Sequence, residues 1–405
     1  MKRIKQIENV LLTALLLCLC IWQMPARADA SGVLDVYSDL SKISRHGNVR
    51  LVTDHVIQQK DLEDAGIEPG DTVKVTFLDK EMEMRVGYNF SEAASGEVLL
   101  RIRDDSVSLT INMGDFASEY ICDKVMVDND LVTWKYKDGI KGPVAFRIEL
   151  IRKDEPSEES DLRQMMYSDE RADYPELSDP EFANFRMIKT TGMGDGALYR
   201  TATPINPKHN RNTYADAALR NAGIRTVINL ADSKETAEGY DGYSESYYAT
   251  TDFLALNMEM SFFTEDFREK LARGLRFLGS HQGPYAVHCT EGKDRTGIVA
   301  ALLECFMGAN WEEVKSDYMK TFYNYFGITP DEAAYQEIAE DNIATSLRRL
   351  FRTDDLKNTD LARTAEEFFR SIGLSGEEIE NLRTNLGRSW LAGTVPQTET
   401  ETEAA

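Results

Sequence analysis

The residue pattern of this chain predicts an α/β domain, a central sheet flanked by helices, preceded by a small all-β domain. Three observations carry that expectation. Short alternating apolar segments separated by turn residues fill residues 31–152. Strand-like runs alternate with helical stretches from 179 to 392, and a charged run, Lys153–Asp161, divides the two regions. With 405 residues, 42% hydrophobic and 28% charged, the chain has the length for two domains and the composition of folded ones.

The first element is a leader. Lys2, Arg3 and Lys5 precede the apolar run Val10–Trp22, and Ala28-Asp29-Ala30 ends the segment. A basic flank, a short apolar core and a small-residue ending form a secretory signal peptide, 1–30, and predict an extracytoplasmic protein. The run falls short of the roughly twenty residues that cross a bilayer, so no stable membrane span is expected after cleavage. Removing residues 1–30 takes away four basic and two acidic residues and moves the net charge from −23 to −25. So acidic a protein is a poor partner for nucleic acid or anionic lipid, and any anionic substrate needs a local positive site.

In the β-rich module, Thr72–Phe77, Val98–Ile102, Val107–Ile111 and Val144–Ile148 read as strands. Gly70–Val73, Gly96-Glu97 and Ile111–Ala117 resemble the β-domain of the adenosylmethionine hydroxide adenosyltransferases, which implies a small β fold. An acidic linker is expected over 153–178, the second domain over 179–392 and a disordered tail over 393–405, where Thr-Glu repeats. Within the second domain, helices are expected over 213–221, 265–278, 296–307 and 311–322. Strands are expected at Thr226–Leu230, Phe253–Met258 and Tyr285–His288. Outside the leader, Cys122, Cys289 and Cys305 are too few and too scattered for a disulfide framework or a zinc site, and no cofactor or metal is expected.

The chemistry concentrates at His288-Cys289-Thr290-Glu291-Gly292-Lys293-Asp294-Arg295-Thr296-Gly297. A strand ends at His288, a short loop follows, and a helix runs out of it. Successive backbone N–H groups of Thr290, Glu291, Gly292 and Lys293, with the helix N-terminus, make an anion cradle. Cys289 supplies a nucleophile whose reactive form is the thiolate. Arg295 brings a planar donor set matched to two phosphoryl oxygens. Lys293 adds positive charge at the rim, and Thr296 can hydrogen-bond the sulfur. Together these groups describe phosphoryl transfer through a cysteinyl-phosphate. The competing reading is a buried cysteine at a strand end with surface charges after it.

This stretch resembles the signature loop of the protein tyrosine phosphatase superfamily, in the bacterial tyrosine and dual-specificity branch that carries Lys-Asp before the arginine. Asn184-Phe185-Arg186, Leu198–Pro204, Thr226–Leu230 and Asp317-Tyr318 extend the resemblance over about 179–387. It implies the cysteine phosphatase fold, with Cys289 as nucleophile, Arg295 as phosphate binder, Thr296 as sulfur partner and His288 orienting the loop. Arg200 is expected to reach the substrate, with a surface salt bridge as the competing reading. Two general acids stay open. Many relatives use an aspartate on a separate upstream loop; Asp252 lies at that spacing but precedes its strand, and members with Lys-Asp-Arg use the loop aspartate, here Asp294, which is favoured. The substrate expected is a phosphotyrosine protein or a broad range of phosphomonoesters. A phosphoinositide or inositol polyphosphate is the alternative, and a non-catalytic binder of phosphorylated ligands is a further one.

Overall fold

The computed structural model describes residues 32–88, 90–103, 106–126, 132–153 and 167–391. The expected leader, the tail 393–405 and residues 154–166 of the expected linker lie outside the described residues. Two compact units emerge, the first ending before residue 165 and the second running on from it.

The first unit contains β1 (Val33–Ser38), β2 (Val49–Arg50), β3 (Thr72–Phe77), β4 (Lys80–Gly87), β5 (Val98–Arg103), β6 (Ser106–Ile111), β7 (Cys122–Met126), β8 (Val132–Tyr136) and β9 (Val144–Arg152). Seven of them form one sheet in the order β1-β9-β3-β4-β5-β6-β2, while β7 and β8 pair separately. All neighbours in the larger sheet are antiparallel except β4 and β5. Period-two alternation explains the buried face: Val73, Val75 and Phe77 of β3 point inward, with Lys74 and Thr76 between them. Two single-turn helices, Gln59–Asp64 and Phe116–Tyr120, add Leu62, Phe116 and Ala117 to that core. They are too short for a helical period to register in the sequence, so the unit is not purely β.

The second unit builds a sheet from β10 (Arg186–Met187), β11 (Leu198–Thr201), β12 (Thr226–Asn229), β13 (Asp252–Ala255) and β14 (Tyr285–His288), ordered β10-β11-β14-β12-β13. Only β10 is antiparallel; the other four run parallel, as α/β crossovers require. Helices α1 (Asn212–Ala222), α2 (Glu265–Ser280), α3 (Asp294–Met307), α4 (Trp311–Phe326), α5 (Leu361–Ser371) and α6 (Gly376–Gly387) belong to this unit. The register brings Thr201, His288, Asn229 and Ala255 to one level at the carboxyl edge. Ligands of open α/β sheets bind outside that edge.

Three local expectations change. β13 ends at Ala255, not Met258, because Asn257 takes a left-handed conformation (φ 46°) and the chain leaves the ladder there. Helix α2 runs through Gly279 to Ser280 instead of stopping at it. The described part of the expected linker, residues 167–178, packs on the second unit, where Tyr174 and Leu177 are buried with Phe182. Its polar composition hid two apolar anchors. Among the described residues, no helix is long and apolar enough to cross a membrane.

Candidate active site

Strand β14 is buried along its whole length, and it delivers His288 and then Cys289 to the carboxyl edge, both buried. Four consecutive carbonyls of the following loop are held by the surrounding scaffold. The Thr290 carbonyl accepts from the Thr203 N–H (3.1 Å). That of Glu291 accepts from the Tyr325 hydroxyl (2.8 Å) and Asn184 Nδ2 (3.2 Å). Gly292 O accepts from Arg200 (3.0 Å) and Asn184 Nδ2 (3.2 Å), and Lys293 O accepts from Arg200 (3.4 Å). A peptide unit points its C=O and N–H in opposite directions. Carbonyls turned into the scaffold therefore turn the N–H groups of Glu291, Gly292 and Lys293 the other way, and these three have no partner among the described residues. That is an anion cradle made by anchoring its reverse side.

Gly292 permits this path. Its φ is +68°, and a Cβ there would stand 2.3 Å from the Thr201 carbonyl oxygen. Gly297, in the first turn of α3, allows a similar close approach: a Cβ would meet Tyr318 at 2.6 Å.

Arg295, in the first turn of α3, donates from Nη1 to the Met258 carbonyl (3.0 Å) and from Nη2 to Thr290 Oγ1 (3.3 Å). Its guanidinium is thereby folded back over the loop, and its Nε is buried without a hydrogen-bond partner. Thr296 is fully buried and its hydroxyl is likewise unpartnered. His288 contacts the Cys289 carbonyl through Nδ1 (3.2 Å) and the Tyr248 hydroxyl through Nε2 (3.4 Å). Burial lowers its pKa to about 4, so the imidazole is neutral at pH 7 and orients rather than charges the loop.

Asp294 opens α3 with about a quarter (26%) of its side chain exposed. Burial raises its carboxyl above the usual range and Glu291 adds to this, against the pull of Lys293 and Arg295. A carboxyl between two cations would ordinarily be held below the usual range; here burial outweighs them and the shift is upward. Asp252 is in a different place. It is the first residue of β13, exposed, level with Thr226 and, across the sheet, Tyr285. Three residues at roughly 3.3 Å each separate it from the carboxyl edge. The expectation for Asp252 is therefore corrected: it belongs to the opposite edge.

Arg200 needs correction too. It is completely buried in β11, pairs with Asp317 (2.7 Å) and grips the loop carbonyls from behind, so it shapes the cradle and does not meet substrate. Arg186 reaches the other oxygen of Asp317 (2.7 Å). Lys293 is also committed: its ammonium lies 3.0 Å from Glu291 and 3.9 Å from Asp294. Burial alone would lower its pKa, but Asp294 and Glu291 outweigh that and raise it.

Several contributors lay beyond the sequence reading. Tyr325 carries the loop through Glu291, and the buried Arg211 guanidinium lies 4.0 Å from its ring centroid and 4.1 Å from that of Phe182. Tyr167 donates to Glu291 Oε1 (2.8 Å). Tyr248, Tyr318 and Tyr325 are core residues. The other thiols are unlike Cys289 in setting. Burial pushes Cys122 up to about 11 and Cys305 well above its ordinary value, so both stay protonated.

A family model described as the tyrosine phosphatase family matches residues 181–388. A tyrosine-protein phosphatase of Nostoc commune is 26% identical over 234 residues, half of this chain (50%) and 78% of that protein. Among solved structures, TpbA of P. aeruginosa shares 19% identity with a TM-score of 0.23, covering 52% of this chain and 95% of its own. The catalytic core of the PP-IP phosphatase SIW14 from S. cerevisiae shares 14% with a TM-score of 0.25, covering 42% of this chain and 91% of its own. An uncharacterized conserved protein from Thermotoga maritima shares 16% with a TM-score of 0.22; the match spans 29% of this chain and 36% of that one.

Proposed function

The chain belongs to the tyrosine phosphatase family, and we propose that it is a secreted, cysteine-dependent enzyme that hydrolyses phosphotyrosine and other phosphomonoesters through a cysteinyl-phosphate. The observation that carries this reading is the loop itself. Cys289 follows a strand end and opens a loop with three unspent backbone N–H groups, and Arg295 is folded back over the same loop. The leader pattern of residues 1–30 supports secretion.

In the first step the Cys289 thiolate attacks phosphorus, the S–P bond forms and the ester P–O bond breaks. Asp294, whose carboxyl is shifted upward by burial, gives its proton to the leaving oxygen. The cradle N–H groups and the Arg295 guanidinium hold the equatorial oxygens as charge spreads over them. In the second step Asp294, now ionised, takes a proton from water. That water attacks phosphorus and the S–P bond breaks, with the Thr296 hydroxyl stabilising the departing thiolate. Phosphate leaves and the starting protonation states return.

The test is turnover of p-nitrophenyl phosphate by the purified chain and by Cys289→Ser. The substitution should abolish turnover without a metal requirement appearing. Activity that survives it, or that depends on an added metal ion, defeats the mechanism.

A further inference from the structure

Lys293 stands at the rim of an anion cradle, where an ammonium is the natural receptor for a second anionic group on a substrate. It is not free to act so. Glu291 Oε2 lies 3.0 Å from its Nζ, and Glu291 Oε1 accepts from the Tyr167 hydroxyl at 2.8 Å, so both carboxylate oxygens are engaged. The Tyr167 ring that delivers this hydroxyl is wedged edge-on against Tyr325 (centroids 4.8 Å), Phe326 (5.7 Å) and His209 (5.7 Å). The backbone of Glu291 is fixed as well, its carbonyl accepting from Tyr325 and Asn184. His209 Nε2 approaches the same carboxylate at 3.9 Å, while its Nδ1 meets Asp169 at 3.1 Å.

A glutamate held by its backbone, by a packed tyrosine and by a lysine is a built feature, not a loose surface charge. It is also held ionised. Burial favours its neutral form, but Lys293, the Tyr167 hydroxyl and His209 outweigh this and keep its carboxyl at about 2. The cation at the rim able to welcome a second phosphate is therefore neutralised by a carboxylate that is itself held in place. About a quarter (25%) of the Glu291 side chain remains exposed, so the pair is within reach of solvent.

We propose that Glu291, positioned by Tyr167 and masking Lys293, is a specificity-determining residue that sets this enzyme against substrates with a second phosphate beside the one transferred and towards isolated monoesters. The proposal rests on the phosphatase reading above and names the substrate class of that site. Unmasking Lys293 should open the site to polyphosphorylated substrates.

The experiment compares kcat/KM for p-nitrophenyl phosphate, a phosphotyrosine peptide and inositol hexakisphosphate in the full chain, in Glu291→Gln and in Glu291→Gln with Lys293→Met. Glutamine keeps an acceptor for Tyr167 but removes the charge. It should raise the ratio of inositol hexakisphosphate to peptide about tenfold, equivalent to about 1.4 kcal/mol. Lys293→Met in that background should erase the gain. Should Glu291→Gln fail to fold by circular dichroism, Tyr167→Phe decides. It loosens the carboxylate while keeping the ring packing, and should move the ratio the same way by a smaller factor. A wild-type chain that turns over p-nitrophenyl phosphate while the variants leave the ratio unchanged, or lower it, overturns this inference alone. A wild-type chain inactive on all three overturns the phosphatase reading with it.

Discussion

Arg200 and Asp317, 117 residues apart in the chain, meet at 2.7 Å in a buried ion pair behind the loop that follows Cys289. Arg186 closes on the same carboxylate, so one acid balances two guanidinium groups. Burial alone pushes Asp317 up, yet the two arginines hold it at about 2. Its contribution is thus complete above the ordinary carboxylate value of 3.8 and lost as the pH falls through about 2. Asp317→Asn leaves two buried cations short of a partner and should cost about 3–5 kcal/mol in urea unfolding at pH 7. A loss under about 1 kcal/mol would mean that the network relaxes around water.

Gly292→Ala tests the shape of the cradle. With φ at +68° and the Thr201 oxygen 2.3 Å from the new Cβ, the loop has to shift. A displacement near 1 Å at a reacting centre costs about a hundredfold in rate. A fall of that order in kcat/KM is expected, with the unfolding midpoint measured beside it. Unchanged kinetics would place the cradle elsewhere.

The general acid is decided by two matched substitutions. Asp294→Asn should lower kcat by about 10²–10⁴, the usual worth of a proton donor. Asp252→Asn, at the amino edge of the sheet, should stay near wild type. The reverse ranking would move the proton donor to another loop.

Glu304 gives a prediction of opposite sign to Asp317. It is buried in α3, and burial, with the neighbouring Asp317, raises its carboxyl well above the ordinary 4.5 despite Arg200 and Arg186. Between those values the folded state holds a proton that the unfolded state has released, so stability falls as pH rises above 4.5. Glu304→Gln removes that penalty. Its stability relative to wild type should improve with pH from 4 to 7, by up to about 1.4 kcal/mol per unit. A flat difference would show that Glu304 ionises normally.

The parts of the site that could be read from the sequence are those the chain makes locally. His288 to Gly297 is a continuous strand, loop and helix start, and the residues there declare themselves by type and spacing. What escaped was assembled across distance. Arg200 looked like a substrate ligand because nothing in the neighbouring residues reveals that β11 is buried on both faces or that Asp317 waits on α4. Asp252 had a suitable spacing along the chain but precedes its strand, and the strand register fixes it at the opposite edge. Tyr167 lay in a stretch whose acidic neighbours read as linker, and only its packing against Tyr325 and Phe326 shows its part.

The anchoring of the loop from behind also sets a timetable. Its carbonyls are held by Asn184, Arg200, Thr203 and Tyr325, residues drawn from four places along the second unit. Contacts of such long sequence separation form late in folding. A chain emerging during synthesis carries Cys289 before it carries Tyr325 of α4, so the loop cannot be fully anchored until that helix has been made and docked. A copy truncated before Tyr325 would hold Cys289 without the full set of groups that shape its loop.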